Sequence, residues 1–231
     1  MKSVVITQPR YIPILSYIQR LYQADLFIVL DDVQRQSRAF ENRNKILLDG
    51  RPTWLTIPIS SSSRALISES EIANLEWIGH HRDQLRRAYS NHPHYDGKIL
   101  DMFYDKLDTV VEKFNFDYTE VTLHLLELTC NLLGFEVELL KSSSLSVDAK
   151  GPHKIVNLCK KVGATHYICG HPAKDYGVED VFGGTEIGLI YHDAETPPHS
   201  QHNMENFVPW MGFYDILFNI GVENVKRLIE V

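Results

Sequence analysis

The stretch Val4-Val5-Ile6-Thr7-Gln8-Pro9 begins as a buried strand and ends in a polar turn. β-branched residues favour strands, and proline rarely continues one. Leu26-Phe27-Ile28-Val29-Leu30-Asp31-Asp32 repeats this arrangement, with two carboxylates after a continuous apolar run. The segment between the runs, about residues 14–23, places its apolar side chains on one helical face. A helix between two such strands is typical of a right-handed parallel crossover, so this opening predicts a parallel α/β sheet.

Strand-like and helix-like patterns continue to alternate along the chain. They predict a hairpin around Asp49-Gly50 with a loop slightly longer than two residues, and a short edge strand at 66–73. Further helices are predicted near 97–107, 119–133, 152–162 and 211–220, and strands near 136–140, 166–169 and 187–191. We interpret 76–113 as a helical insertion within a single domain, 1–231. The predicted fold class is a three-layer, Rossmann-like α/β fold with a mainly parallel sheet, a β-hairpin and a helical insertion.

Composition narrows the class of protein. The 231 residues are 44% hydrophobic and 23% charged, as in an ordinary globular domain. The net charge of -7 gives no reason to expect nucleic-acid binding, and no apolar run reaches the length of a membrane span. The first apolar run is also too short for a signal peptide. Three cysteines without CxxC spacing fit a reduced protein, so we predict a cytoplasmic location.

Polar side chains follow both opening strands. Gln8 and Tyr11 lie in a loop that two prolines make rigid, whereas Asp31, Asp32 and then Gln34 follow the second strand. Ligands of open parallel sheets bind beyond the carboxyl ends of the strands. We therefore predict that the three uncharged side chains contact a substrate. Either carboxylate would bind a sugar hydroxyl, hold Mg²⁺ or act as a general base, and the alternative is a cap of a helix or turn.

A cluster of cations and amides comes next in the sequence. Arg38, Asn42, Arg43 and Lys45 lie within eight positions of one another. Guanidinium groups bind phosphate through two parallel hydrogen bonds, so a nucleotide sugar is a plausible ligand for Arg38, Asn42 and Arg43. The alternative is an internal ion pair with one of the two preceding aspartates.

His81 is the third candidate for a catalytic base. It shares a helical face with Leu85, which points it inward, so it is either catalytic or a hydrogen-bonded core residue. No HExxH motif occurs, and the other histidines lack the flanking acids of a zinc site. We therefore predict no metal site.

A second candidate loop follows the strand near residues 166–169. Gly170 permits close approach of a ligand, and we expect His171 and Tyr176 to contact the substrate. Cys169 beside His171 is either an activated nucleophile or a small core residue. Asp215 lies in an apolar helix, where we interpret it as the buried partner of an arginine from the first loop.

Several short motifs, in order along nearly the whole chain, resemble those of the WbqC-like protein family. They are Ile6-Thr7-Gln8-Pro9-x-Tyr11-x-Pro13, Asp31-x-x-Gln34, Asn42-Arg43-Asn44-Lys45-Ile46, Trp54-Leu55-Thr56-x-Pro58, Gly163-Ala164-Thr165-x-Tyr167, Gly170-x-x-Ala173-x-x-Tyr176, Phe207-x-Pro209 and Asp215-x-Leu217-Phe218-Asn219-x-Gly221.

The resemblance implies a role in the biosynthesis of O-antigen or related surface polysaccharides. The chemistry it implies is N-acyl or aminoacyl transfer to an amino sugar carried on a nucleotide. The acyl donor would be acyl-CoA, an acyl carrier or an acid activated by ATP. Two alternatives are a non-catalytic sugar-nucleotide-binding or scaffold protein of the same pathway, and an ATP-dependent adenylating enzyme.

Overall fold

Strands and helices alternate in the computed structural model, which describes residues 1–36, 39–62, 64–170, 177–192 and 196–230. The strands of the described residues are β1 Ser3–Thr7, β2 Leu26–Val29, β3 Arg43–Leu48, β4 Arg51–Thr56, β5 Glu138–Lys141, β6 His166–Gly170 and β7 Gly188–His192. The helices are α1 Leu15–Tyr22, α2 Glu76–Tyr89, α3 Gly97–Tyr104, α4 Leu107–Lys113, α5 Tyr118–Leu133, α6 Gly151–Lys161, α7 Val178–Phe182, α8 Phe213–Ile220 and α9 Val222–Ile229.

Five of the strands form one parallel sheet in the order β5-β2-β1-β6-β7, and β3 and β4 form a separate antiparallel hairpin. This arrangement confirms the predicted fold class. The chain builds outward from β1 through β2 to β5, then returns to the other side of β1 with β6. The order of the strands therefore reverses between β1 and β6, and open α/β sheets bind their ligands at such a reversal.

Side chains of β1 alternate between two hydrophobic layers, as the period of a strand requires. Val4 and Ile6 pack with residues of α6 and α7 on one face of the sheet. Val5 packs with Tyr17 of α1 and with residues of α5 on the other face. A third cluster joins the hairpin to α2, α3, α4, α8 and α9. The interpretation of 76–113 as an insertion stays a prediction, although helices do occupy that range.

The hairpin turn is tighter than the sequence suggested. Leu48 pairs with Arg51, which leaves Asp49 and Gly50 as a two-residue loop. Both have positive φ, 50° and 71°, as a type I′ turn requires. The backbone twist of that turn matches the twist of the two strands, and no further loop residue is needed.

The sequence prediction was wrong at 66–73 and incomplete near the end of the chain. Ile67–Glu69 forms a 3₁₀ turn. Residues 66, 71 and 72 each make only an isolated bridge to a different segment, so they do not form the predicted edge strand. The short helices α7 and α9 were not predicted; α9 begins directly after Gly221 ends α8. No helix within the described ranges is both long and apolar enough to cross a membrane.

Candidate anion-binding site at the carboxyl edge of the sheet

Three of the predicted site segments meet at one edge of the sheet. Thr7 ends β1 opposite Val29 of β2, so Gln8 and the Asp31-Asp32 pair follow at the same edge. Gly170 is the last residue of β6, on the other side of β1. The structure thus brings these candidates to the place where a parallel sheet binds its ligands.

Tyr17 organises two arginines at this edge. Its hydroxyl donates a hydrogen bond to the Gln8 carbonyl (3.1 Å), which fixes the ring at the end of β1. The Cζ atoms of Arg10 and Arg20 lie 5.9 Å and 5.7 Å from the ring centroid. The Arg20 side chain turns back along α1, because its Nε donates to the Ser16 carbonyl (3.4 Å). Cation–π attraction thus holds two guanidinium groups around one aromatic ring.

The charges of Arg10 and Arg20 are not neutralised by an ion pair with any described residue. Glu41 is the nearby acid, but its carboxylate accepts from the Gln36 backbone N–H (3.3 Å and 3.2 Å), and burial raises its pKa. Burial also lowers the pKa of Arg20, and the positive charge of Arg10 lowers it further. Two repelling guanidinium groups beside the same ring favour an anion such as phosphate at this place.

Neither Arg10 nor Arg20 was predicted from the sequence to bind a ligand. A signal was present, because Arg20 follows Tyr17 by three positions and so shares its helical face. Arg10 carries no comparable signal. Its side chain reaches Tyr17 only after the chain has turned through residues 8–13.

Asp31 fastens the end of β2 to the end of β5. It is buried, with 1% of its surface exposed. Its carboxylate accepts from the Ser142 hydroxyl (3.0 Å), the Ser143 backbone N–H (2.9 Å) and the Ser143 hydroxyl (2.7 Å). These hydrogen bonds use both carboxylate oxygens. A role for Asp31 as a base stays a prediction, and that role would require it to give up at least one of these partners.

Asp32 is held by a lysine from far along the chain. Its Oδ2 accepts from the Lys154 ammonium of α6 (2.6 Å), and its Oδ1 shares the single hydroxyl hydrogen of Ser142 with the Oδ1 of Asp31. Lys154 therefore forms the ion pair that the alternative interpretation assigned to the basic cluster near residue 43. Asp32 is the more accessible of the two aspartates, with 19% of its side chain exposed, so it is better placed to reach a ligand.

His81 belongs to a buried chain of hydrogen bonds. Its Nδ1 lies 2.8 Å from the Tyr11 hydroxyl, which lies 2.8 Å from the Tyr104 hydroxyl. Burial lowers the pKa of His81 to about 3, and the neighbouring His80 adds to the lowering. The ring is therefore neutral and only weakly basic near pH 7. Tyr11 is likewise buried in this cluster rather than open to a ligand at the sheet edge.

We expect His81→Gln to flatten the pH dependence of stability. An unfolded histidine titrates near pH 6.5, whereas folded His81 does so at about 3. Between these values the unfolded chain binds the extra proton, so the free energy of unfolding falls as pH decreases, by at most about 1.4 kcal/mol per pH unit. Urea unfolding at about pH 7 and about pH 4.5 should show a shallower decline for the variant.

The exposed neighbour His80 provides the matched control for this experiment. His80→Gln should retain the steep decline of the unmodified chain. Equal declines in His81→Gln and the unmodified chain would contradict the assignment of a buried, neutral His81.

The remaining substrate-binding candidates are dispersed. Asn42 is buried, and its amide donates to the Ile57 carbonyl (2.7 Å). Arg43 packs over the ring of Trp54, with 4.1 Å from its Cζ to the ring centroid. Gln34 is exposed and forms an isolated bridge with Leu66. The other candidates lie outside the described residues: Arg38, His171 and Tyr176.

The interpretation of Asp215 was wrong. Its carboxylate contacts His199 Nε2 (3.2 Å) and accepts from Gln201 Nε2 (2.8 Å) and, more weakly, from the Tyr89 hydroxyl (3.4 Å), and it pairs with no described arginine of the first loop. His199 and Gln201 come from the segment that precedes α8, and Asp215 ties that segment to the helix. Cys169 is buried, as the core interpretation expects. No group of three or more His, Cys, Asp or Glu side chains in the described part of the chain is arranged to hold a metal ion.

Comparison with known proteins identifies the family to which this chain is similar. The WbqC-like protein family matches residues 8–227. An uncharacterised protein of Mycobacterium tuberculosis, Rv1507c, is 29% identical over 225 residues, which cover 96% of each chain. No solved structure matches the chain. The family match covers almost the whole chain, including the turn with Arg10, the helix with Arg20 and the four strands of the parallel sheet that follow β1. The chain therefore belongs to the WbqC-like protein family.

Proposed function

We propose that the chain is a cytoplasmic enzyme of O-antigen or surface polysaccharide biosynthesis that binds a nucleotide-linked amino sugar and transfers an acyl or aminoacyl group to its amine. The single observation that carries the binding step is the position of Arg10 and Arg20 around Tyr17, at the strand-order reversal. Without an ion-pair partner among the described residues, the two cations suit a diphosphate.

Other positively charged or open surfaces suit this ligand less well. A groove beside β5 is lined by Glu120 and Glu127 as well as Lys141. Lys141 is already paired with Glu120 (2.5 Å). Two carboxylates around a neutralised lysine repel a diphosphate, so the groove does not compete with the arginine pair.

The transfer step requires a base and a leaving group. The sugar amine would attack the acyl carbon, an N–C bond would form, and the bond from that carbon to the donor's leaving group would break. The amine proton would pass to a base. Asp32 is the candidate carboxylate with both partial exposure and a position at the sheet edge.

Mass spectrometry of the sugar product tests the proposed function. The purified chain would be incubated with nucleotide-linked 3-amino and 4-amino sugars and with acyl-CoA, an acyl carrier thioester, or an amino acid and ATP. We expect the mass of one sugar nucleotide to increase by that of the acyl group. Asp32→Asn should reduce this product while leaving sugar-nucleotide binding intact. Binding without a mass increase for any donor would contradict the transferase assignment.

A second candidate function is non-catalytic binding of the same sugar nucleotide. The hydrogen-bonded state of Asp31, Asp32 and His81 favours it, because each candidate base is already engaged. One experiment, the effect of Asp32→Asn on pathway output in cells, distinguishes the two functions. A binding protein would retain pathway output in cells after Asp32→Asn, whereas a transferase would lose most of it.

A further inference from the structure

Two aromatic side chains form an exposed platform next to the arginine pair. Phe40 and Trp54 have their ring centroids 5.4 Å apart and are 36% and 38% exposed. Trp54 lies on β4, on the face of the hairpin that carries Lys45 directly opposite it. The two ring planes are inclined by 49° to each other, and Phe40 lies in the loop that precedes β3. Large aromatic rings that remain this exposed are available to stack with a ligand.

Cations surround this Phe40–Trp54 platform. The Arg43 guanidinium carbon lies 4.1 Å and the Lys45 ammonium 5.0 Å from the Trp54 centroid. On the other side, Arg10 lies 5.8 Å from the Phe40 centroid. Charge complementarity therefore selects an anionic ligand with a flat unsaturated ring over a neutral apolar one.

Arg10 connects the platform to the proposed diphosphate site. The same guanidinium group lies near both Tyr17 and Phe40. The Tyr11 backbone N–H donates to the Glu41 carbonyl (2.8 Å), and this hydrogen bond holds the Arg10 turn beside Phe40. A ligand whose phosphate binds at Arg10 can therefore reach the Phe40–Trp54 platform with one end and the carboxyl edge of the sheet with the other.

We propose that the Phe40–Trp54 platform stacks the nucleobase of the sugar nucleotide, an assignment that rests on the proposed function. The base and the sugar lie at opposite ends of the diphosphate, so they occupy opposite sides of Arg10. Gln8 and the strand ends offer hydrogen bonds for sugar hydroxyls, and the platform offers rings flanked by cations. Base–aromatic stacking is tolerant of base identity, so the platform supplies affinity for nucleosides in general.

Isothermal titration with two probes tests this assignment. Inorganic pyrophosphate reports on the arginine pair alone, and uridine diphosphate reports on the arginine pair plus the platform. The unmodified chain should bind uridine diphosphate at least about tenfold more tightly than pyrophosphate. Trp54→Leu should remove that difference and leave the pyrophosphate affinity unchanged. Phe40→Leu should give a smaller loss in the same direction, and Trp210→Leu, which removes a 55% exposed ring elsewhere, should change neither affinity.

The results of this titration distinguish failure of the platform assignment from failure of the proposed function. An unchanged preference for uridine diphosphate in Trp54→Leu would overturn the platform assignment while leaving the proposed function intact. Absence of pyrophosphate binding in the unmodified chain would overturn the proposed function, and the platform assignment with it. A single-stranded oligonucleotide that loses affinity in Trp54→Leu, while uridine diphosphate does not, would assign the platform to nucleic acid instead.

Discussion

Replacing both Arg10 and Arg20 with glutamine should weaken the binding of pyrophosphate and of uridine diphosphate by about a hundredfold. Each charged hydrogen bond to phosphate contributes about 1.5–3 kcal/mol, and about 1.4 kcal/mol corresponds to a factor of ten. Each single variant should lose about tenfold. The measurement is isothermal titration of the three variants and the unmodified chain at one salt concentration, because phosphate affinity depends on ionic strength.

Two controls separate loss of charge from loss of fold. Arg64→Gln removes an exposed arginine elsewhere and should bind both probes normally. The midpoint of urea unfolding should remain close to that of the unmodified chain in Arg10→Gln, since cation–π contacts at exposed sites contribute only about 0.5–1 kcal/mol. Unchanged pyrophosphate affinity in the double variant would refute the arginine pair as the anion site.

Replacing Lys154 with methionine should lower the free energy of unfolding by about 3 kcal/mol. Lys154 and Asp32 are 9% and 19% exposed at their side chains, so removing the ammonium leaves a largely buried carboxylate without its counter-charge. A double-mutant cycle measures this coupling. Asp32→Asn in the same chain removes the stranded charge, so the double variant should recover more than half of the loss.

An exposed ion pair on α9 is the control for the buried pair of Lys154 and Asp32. Lys226 and Glu223 are 34% and 79% exposed, and water screens their attraction. Lys226→Met should cost less than about 0.5 kcal/mol. If Lys154→Met costs no more than Lys226→Met, Lys154 is not the buried counter-charge of Asp32. If the losses from Lys154→Met and Asp32→Asn simply add, the two side chains are not coupled.

The sheet and the hairpin could be predicted because their signals are local. A continuous apolar run identified β2, and Asp49-Gly50 identified the hairpin turn. The segment 66–73 could not be predicted, since its isolated bridges join it to three different segments, at residues 34, 59 and 117. The helix α9 was missed because Gly221 is a typical helix end, and here it also begins the next helix.

The location of the candidate site could be predicted from the sequence, but only some of the residues that form it could. The strand ends identified Gln8, Asp31 and Gly170 from local pattern alone. The partners that occupy Asp31 and Asp32 are Ser142, Ser143 and Lys154, more than a hundred residues later, and no local pattern pairs them. Arg20 contacts Tyr17 within the helix α1, so this half of the arginine pair has a local signal, whereas Arg10 reaches the same ring only once the turn through residues 8–13 has folded.

In the proposed complex, Arg10 and Arg20 hold the diphosphate of a sugar nucleotide at the carboxyl edge of the sheet. A crystal structure of the chain with uridine diphosphate tests this arrangement most directly. The account predicts phosphate oxygens about 2.7–2.9 Å from nitrogens of both guanidinium groups. A diphosphate bound elsewhere, such as in the groove beside Lys141, with neither arginine in contact, would contradict it.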